Sequence, residues 1–362
     1  MLPMRALIAA VLLTASGAAA VPQADTEAAA VFSTAAHGDY DAAIRAANAA
    51  LRRPGISRKQ RAELIAVRAY ASMAQGRMKA AQYDFDDAIH LSPDASTRDA
   101  VRQLAADAYD DRAGKEDDQG NWDLSIAYYT KELEYRPDNP ATLRARAMAH
   151  RLNCEFDEAI ADYDRAFAIG KPYVEDFIDR SVAHELKLDF DGALADLNSA
   201  IKLDPSDYRL YGFRGHVLAE QGRYEAARAD FEHTLKIEPR DLSTLVWLHI
   251  THLKLGQDDG AWLKTKAAAA DSKPWPGPAL AFFAGVLSER DLIHLALVSS
   301  QTRIEHQRCD GWFYAGEAAL AQGMKKHAEE LFQKTVDGCN PNDYEWVPAK
   351  MELRRLRGRP GT

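Results

Sequence analysis

Arginine and aspartate recur in this sequence at a spacing that suits ion pairing. An aspartate follows an arginine by 16 residues at four places: Arg68–Asp84, Arg146–Asp162, Arg180–Asp196 and Arg214–Asp230. A planar guanidinium group can donate two parallel hydrogen bonds to a carboxylate. Four copies of one pair favour a structural role over catalysis, so we predict a row of partly buried ion pairs. Arg112 holds the same position, but Tyr128 replaces its aspartate, so Arg112 must have another partner.

Other residues that could carry chemistry favour structure as well. His249 and His252 lie three residues apart, a spacing that can hold a metal ion, but both occupy packing positions. The sequence has no glycine-rich phosphate loop, no H-E-x-x-H motif and no G-x-S-x-G motif. We therefore predict no catalytic residue, no metal and no cofactor. The alternative of an enzyme would need an unrecognised site within residues 274–308.

The chain has three cysteines. Cys309 opens one predicted helix pair and Cys339 follows its end, so the two residues come close and a disulfide is predicted. A zinc site is less favoured, because no C-x-x-C spacing accompanies them. Cys154 falls in a turn where other repeats carry glycine, and we expect a free thiol there.

The elements that position these residues repeat along the chain. Five turn positions follow one another at 34-residue intervals: Gly120, Cys154, Leu188, Gly222 and Gly256. A fixed period of this length is typical of stacked helix–turn–helix units. With the small, aromatic and proline positions that recur beside it, the pattern resembles the tetratricopeptide repeat family. The resemblance implies an all-α, right-handed superhelical solenoid with a C-terminal capping helix.

The predicted organisation follows from this period. Residues 21–273 form the solenoid, with units near 24–54, 62–93, 106–139, 140–173, 174–207, 208–241 and 242–273. A proline-rich break then starts a helical insertion at 274–308. The last repeat spans 309–341, and a capping helix and tail occupy 342–362. We expect Tyr344 and Trp346 to seat the capping helix on the last repeat.

A solenoid of this kind presents a concave groove lined by its first helices. Eight residues are predicted to point toward that groove and bind a partner: Asp110, Arg144, Arg151, Glu185, Arg209, Phe213, His216 and Trp247. Arg144, Arg151 and Arg209 suit a carboxylate or an acidic peptide. Phe213 and Trp247 offer apolar anchors. The alternative is that these residues are ordinary surface.

The two ends and the net charge set further expectations. Residues 1–20 combine a short basic start, an apolar stretch and small residues, which predicts a secretory signal peptide cleaved near Ala20 and a periplasmic protein. The formal net charge of −9 argues against nucleic acid as a partner. The basic run 354–357 is expected to be a solvated last helical turn.

Residues 274–356 resemble bacterial new lipoprotein I and its proteobacterial relatives. The resemblance lies in Trp275–Pro278, Leu280–Gly285, Cys309–Glu317, Asp343–Trp346 and Glu352–Leu356. It implies a non-catalytic periplasmic adaptor that links a C-terminal-processing protease to murein hydrolases, and it allows a homodimer. This sequence lacks the family's lipid-accepting cysteine and has more repeats than the short family form. The alternative is a scaffold in outer-membrane or secretion-system assembly.

Overall fold

A computed structural model describes residues 25–270, 273–298 and 304–358, so the predicted signal peptide lies outside the described residues. The all-α prediction is confirmed: the described residues form 19 helices and no strand. The helices are α1 (Asp25–Ala36), α2 (Tyr40–Leu51), α3 (Arg58–Ala74), α4 (Met78–Leu91), α5 (Ala95–Asp117), α6 (Trp122–Tyr135), α7 (Pro140–Leu152), α8 (Phe156–Ile169), α9 (Val174–Leu186), α10 (Phe190–Leu203), α11 (Tyr208–Glu220), α12 (Tyr224–Ile237), α13 (Leu242–Lys254), α14 (Gly260–Ala269), α15 (Gly277–Phe283), α16 (Glu289–Val298), α17 (Ile304–Ala321), α18 (Lys325–Gly338) and α19 (Trp346–Leu356).

The turn inside each helix pair depends on a left-handed residue. Gly222 has φ +84°, and its N–H bonds to a carbonyl of the helix that it ends. Cys154 and Leu188 adopt the same conformation, at φ 61° and 63°. The following helix begins at an aspartate cap in two pairs: Asp39 accepts a hydrogen bond from the N–H of Ala42, and Asp189 accepts one from the N–H of Gly192. The positions that repeat every 34 residues are therefore those at which the chain turns from the first helix of a pair into the second.

The described chain divides into two compact units. Unit 1 comprises residues 25–153 and 164–170, and unit 2 comprises residues 154–163 and 171–358 with the gaps given above. The main core of unit 1 is built from α1–α5, with Phe85, Tyr109 and many alanines fully buried. Helix α5 begins at Ala95, well before the predicted repeat start at 106, because Asp94 caps the N–H of Thr97 at 2.7 Å.

The core of unit 2 combines repeat helices with the C-terminal part of the chain. Close helix approach is possible because Gly215 faces Phe231; an added Cβ would lie 2.7 Å from that ring. Helix α15 contacts both α13 and α17, and α19 contacts α18 and α11. The C-terminal residues therefore pack back onto the first helices of earlier pairs.

Within the described ranges, no helix combines the length and the hydrophobicity that a membrane span requires.

Candidate functional site

Three of the predicted groove residues, Arg209, Phe213 and His216, meet in one pocket of unit 2. They lie on one face of α11, because positions i, i+4 and i+7 are neighbours on a helix. The pocket has a volume of about 220 Å³. The other residues that line it are Tyr208, Gly212, Thr234, Asp241, Ser243, Thr244 and Tyr344.

Arg209 forms the exposed rim of the pocket. Its side chain is 53% exposed and pairs with Asp207, with Nη2 2.6 Å from Oδ2. Asp207 is also the N-cap of α11 and accepts a hydrogen bond from the N–H of Arg209 at 3.0 Å. The cap thus fixes the start of the helix and holds the guanidinium group at the mouth of the pocket.

His216 forms the base of the pocket. It is 6% exposed, and the rings of Phe231, Trp247 and Tyr344 meet its ring edge-on at centroid distances of 5.3, 4.6 and 4.8 Å. Burial lowers the pKa of His216 to about 3, so the imidazole is neutral at physiological pH. Its Nδ1 has no hydrogen-bond partner among the described residues.

The walls of the pocket come from two parts of the sequence, residues 234–244 and Tyr344. Asp241 caps α13 by accepting a hydrogen bond from the N–H of Thr244 at 2.7 Å, and Thr234 Oγ1 donates to the carbonyl of Tyr208 at 3.2 Å. The opposite wall is Tyr344, which remains 46% exposed. Tyr344 belongs to residues 343–356, which comprise α19 and the turn before it; we call these residues the closing segment.

Carboxyl groups of α9, α11 and the closing segment act electrostatically on Tyr344, which lines the pocket. Glu220 and Glu345 are 3% and 1% exposed. Tyr314 Oη donates to Glu345 Oε1 at 2.6 Å. Burial, then the charge of Asp310, raises the pKa of Glu345 well above its usual value. The pKa of Glu220 is also raised well above its usual value, first by burial and then by the charges of Glu185 and Glu345.

A second charged group anchors the closing segment. Lys254 Nζ lies 2.8 Å from Glu317 and 2.9 Å from Glu352. Arg355 also pairs with Glu352 and donates to the carbonyls of Ala219 and Glu220. Helices α11, α13, α17 and α19 are therefore joined through one ionic cluster inside unit 2.

The comparison with known families identifies the repeats. Residues 115–173 and 187–241 match the family model of the tetratricopeptide repeat. These segments are tetratricopeptide repeats. Among curated proteins, none is significantly similar to the sequence.

Several solved tetratricopeptide repeat or related structures are similar to parts of the chain. A tetratricopeptide repeat protein from Parabacteroides merdae is 16% identical, with 81% of this chain and 99% of that chain covered and a TM-score of 0.44. YrrB, a repeat protein with an unusual peptide-binding site, is 18% identical over 50% of this chain and 92% of its own, with a TM-score of 0.42. PilW, a type IV pilus biogenesis factor, is 16% identical over 70% and 98%, also with a TM-score of 0.42.

Three of the predicted arginine–aspartate pairs form bidentate contacts. Nε and Nη2 of the arginine meet both carboxylate oxygens in Arg68–Asp84, Arg180–Asp196 and Arg214–Asp230, at distances of 2.5–2.9 Å. Arg146 donates to Thr130 Oγ1 at 3.0 Å, and its pairing with Asp162 stays a prediction. Arg112 pairs with Glu116 at 2.5 Å and lies over the ring of Tyr128.

The remaining predicted groove residues are not among those that line the pocket. In unit 1, Asp110 is half-buried on α5, where burial and then the charge of Asp111 raise its pKa. Arg144 and Arg151 are half-buried on α7. In unit 2, Glu185 is half-buried on α9, and burial raises its pKa to about 7.

Trp247 does not face an open groove, and this corrects its interpretation as an accessible anchor. It is 3% exposed and stacks on Phe313 of α17 with the ring centroids 5.5 Å apart. The cause is the return of the C-terminal part of the chain, which covers this face of α13. His216 is buried for the same reason, behind Tyr344.

A disulfide joins Cys309 and Cys339, whose Cα atoms are 6.1 Å apart. Within the described ranges, Cys309, Cys339 and Asp343 are the group that lies close enough to share a metal ion. Its two sulfurs are already bonded to each other, and zinc would need them as thiolates. Cys154 is an exposed free thiol in its turn.

His249 and His252 share a carboxylate partner. Their Nδ1 atoms each lie 2.8 Å from Asp259, on Oδ1 and Oδ2 respectively. Burial alone would raise the pKa of Asp259, but the two hydrogen bonds outweigh it and the net pKa is lowered. This contact ties α13 to the start of α14.

The buried charges of unit 2 were missed at the sequence level. Arg355 belongs to the basic run that we expected to be solvated, yet it is 28% exposed and bound to α11 and Glu352. Trp346 seats α19 on the last repeat as expected, because its Nε1 donates to the carbonyl of Val336 at 3.2 Å. Tyr344 instead contacts His216. One signal in the sequence could have indicated the buried charges. Glu317 directly follows Gly316, and Gly316 packs closely against the ring of Phe332.

Proposed function

We propose that this chain is a non-catalytic scaffold that binds a segment of another protein at the pocket of unit 2. The observation that carries the proposal is the convergence of Arg209, Phe213 and His216 on one open cavity. The repeats supply rigid helices for such a surface, since each repeat packs on its neighbours.

The chemistry of the pocket favours a short acidic and apolar sequence. Arg209 offers an exposed guanidinium group to a carboxylate at the rim. Half-buried Phe213 offers apolar contact below the rim. Neutral His216 can exchange a hydrogen bond with a polar atom of the ligand without adding charge.

We further propose that the protein acts in the periplasm. The N-terminal pattern of residues 1–20 supports export. The Cys309–Cys339 disulfide supports an oxidising compartment. The resemblance of residues 274–356 to new lipoprotein I supports a role as an adaptor between a C-terminal-processing protease and cell-wall hydrolases. A scaffold for outer-membrane or secretion-system assembly remains the alternative set of partners.

The test is affinity capture from periplasmic extract with quantitative mass spectrometry. The Arg209→Glu variant reverses the charge at the rim, so we expect its specific partners to fall by about tenfold, equivalent to about 1.4 kcal/mol of binding. Arg223→Glu is the matched control, because Arg223 is exposed in unit 2 but does not line the pocket. The proposal is wrong if both variants retain the same proteins as the wild type. Hydrolases and a protease in the capture would favour the adaptor role, and assembly components would favour the alternative.

A further inference from the structure

The closing segment brings the carboxyl group of Glu345 close to those of Glu185 and Glu220. Glu345 is almost fully buried, and Glu185 acts electrostatically on it. Glu220 faces the same interior from the end of α11. Glu220 retains an Oε2 atom without a hydrogen-bond partner in the described part of the chain, and the donors beside Glu345, Tyr314 and Trp247, are both neutral. Full ionisation would leave these charges only partly compensated in a medium that solvates them poorly.

The cations nearby do not match these carboxyl groups in number. Arg355 favours the charged form of Glu220 but also pairs with Glu352. Lys254 is held between Glu317 and Glu352. His216 adjoins Tyr344 but is neutral, since burial lowers its pKa to about 3. A negative charge on Glu345 therefore has no dedicated positive partner among the described residues.

The charged and titratable groups around the cluster come from every element packed on it. They are Glu185 of α9, His216 and Glu220 of α11, Tyr224 of α12, Asp241 and Lys254 of α13, Asp310, Tyr314 and Glu317 of α17, and Tyr344, Glu345, Glu352 and Arg355 of the closing segment. The acidic groups outnumber the cations in this set. The set includes Tyr344, which is also a wall of the pocket.

We propose that protonation of Glu220 and Glu345 holds the closing segment in place, and that their ionisation releases it and removes Tyr344 from the pocket. The position of the closing segment depends on this chain alone and needs no partner. Its effect on a bound partner rests on the proposed function of the pocket.

The direction of the pH effect follows from the raised pKa values. When the pKa is higher in the closed state than in the open state, the closed state keeps protons that the open state has lost. Closure is therefore strongest below the ordinary glutamate pKa of about 4.3 and is lost as pH rises through the values of the closed state. Burial raises the pKa of Glu220 and of Glu345 well above the normal value, so the loss occurs at a higher pH than an ordinary glutamate would give.

Hydrogen–deuterium exchange of the full-length protein between pH 6 and 9 tests the proposal, with rates corrected for the intrinsic effect of pH. The readout is the protection of peptides from residues 343–356 relative to peptides from Lys325–Gly338. For the wild type we expect relative protection to fall by about tenfold per pH unit where one proton is released. The Glu220→Gln and Glu345→Gln variants should each flatten this dependence, and the double variant should flatten it most, with only the contributions of Glu185 and Glu317 left.

The exposed residue Glu330 provides the matched control. Glu330→Gln removes one carboxylate from unit 2 outside the cluster and should retain the wild-type profile. A pH-independent wild type would overturn the proposal, as would single variants that keep its full dependence. If circular dichroism shows that the double variant is unfolded, the wild type and single variants still decide. The measurement uses no partner, so its failure is separable from a failure of the capture experiment.

Discussion

Cys154 adopts a backbone conformation that other turns of the period assign to glycine. Its φ of 61° lies in the left-handed region, as do those of Gly120 and Gly222. The Cβ atom costs about 1–2 kcal/mol in that region. The sequence placed Cys154 in the turn, but the left-handed geometry emerged only from the backbone.

Replacing Cys154 by glycine should raise the free energy of unfolding by about 1 kcal/mol. Removing the Cβ relieves the strain, and the greater entropy of glycine in the unfolded chain offsets part of the gain. Urea unfolding would measure the change. Cys154→Ser is the control, because it retains the Cβ; an equal gain in that variant would contradict the explanation.

At the scale of elements, features that repeat along the sequence could be predicted, whereas contacts that occur only once could not. The turn positions and the pairing of Arg180 with Asp196 follow from local helix geometry, so the sequence reveals them. The start of α5 depends on one capping residue, Asp94, in a segment without the period. The burial of Trp247 depends on Phe313, which no spacing rule links to it. The pocket was therefore predicted in part: three residues of α11 were found, but Tyr344 was not.

Lys254 should be the most sensitive single charge of unit 2. Lys254→Met would leave Glu317 and Glu352, both almost fully buried, without their shared cation. Breaking such a buried contact costs about 3–5 kcal/mol. Thermal or chemical unfolding followed by tryptophan fluorescence would show the loss.

A combined variant separates charge from packing at this position. Adding Glu317→Gln to Lys254→Met removes the carboxylate that has lost its cation, whereas Glu352 keeps its pairing with Arg355, so the double variant should recover much of the stability. If the double variant is as unstable as Lys254→Met, the loss does not come from the unpaired carboxylate of Glu317.

At the scale of the whole molecule, the disulfide and the tryptophans are unevenly distributed. Five of the six tryptophans lie in unit 2, so intrinsic fluorescence mainly reports that unit. The Cys309–Cys339 disulfide closes a loop with a sequence separation of 30 within it. A reductant should lower the stability measured by fluorescence by about 3–4 kcal/mol in the chain-entropy model.

The Cys309→Ser/Cys339→Ser variant checks that effect. It should match the reduced wild type and be insensitive to further reductant, whereas the wild type responds. A wild type whose fluorescence transition is unchanged by complete reduction would show that the cross-link contributes little to stability.

The contact of Arg355 with the end of α11 bears on the order in which the chain can fold. Arg355 donates to the carbonyl of Ala219, which lies 136 residues earlier. An array held only by neighbouring repeats can begin to fold while later parts are still being synthesised. Unit 2 instead needs a long loop to close, which slows folding and keeps apolar surface open to water meanwhile. During synthesis, the core of unit 2 therefore stays incomplete until α19 has left the ribosome.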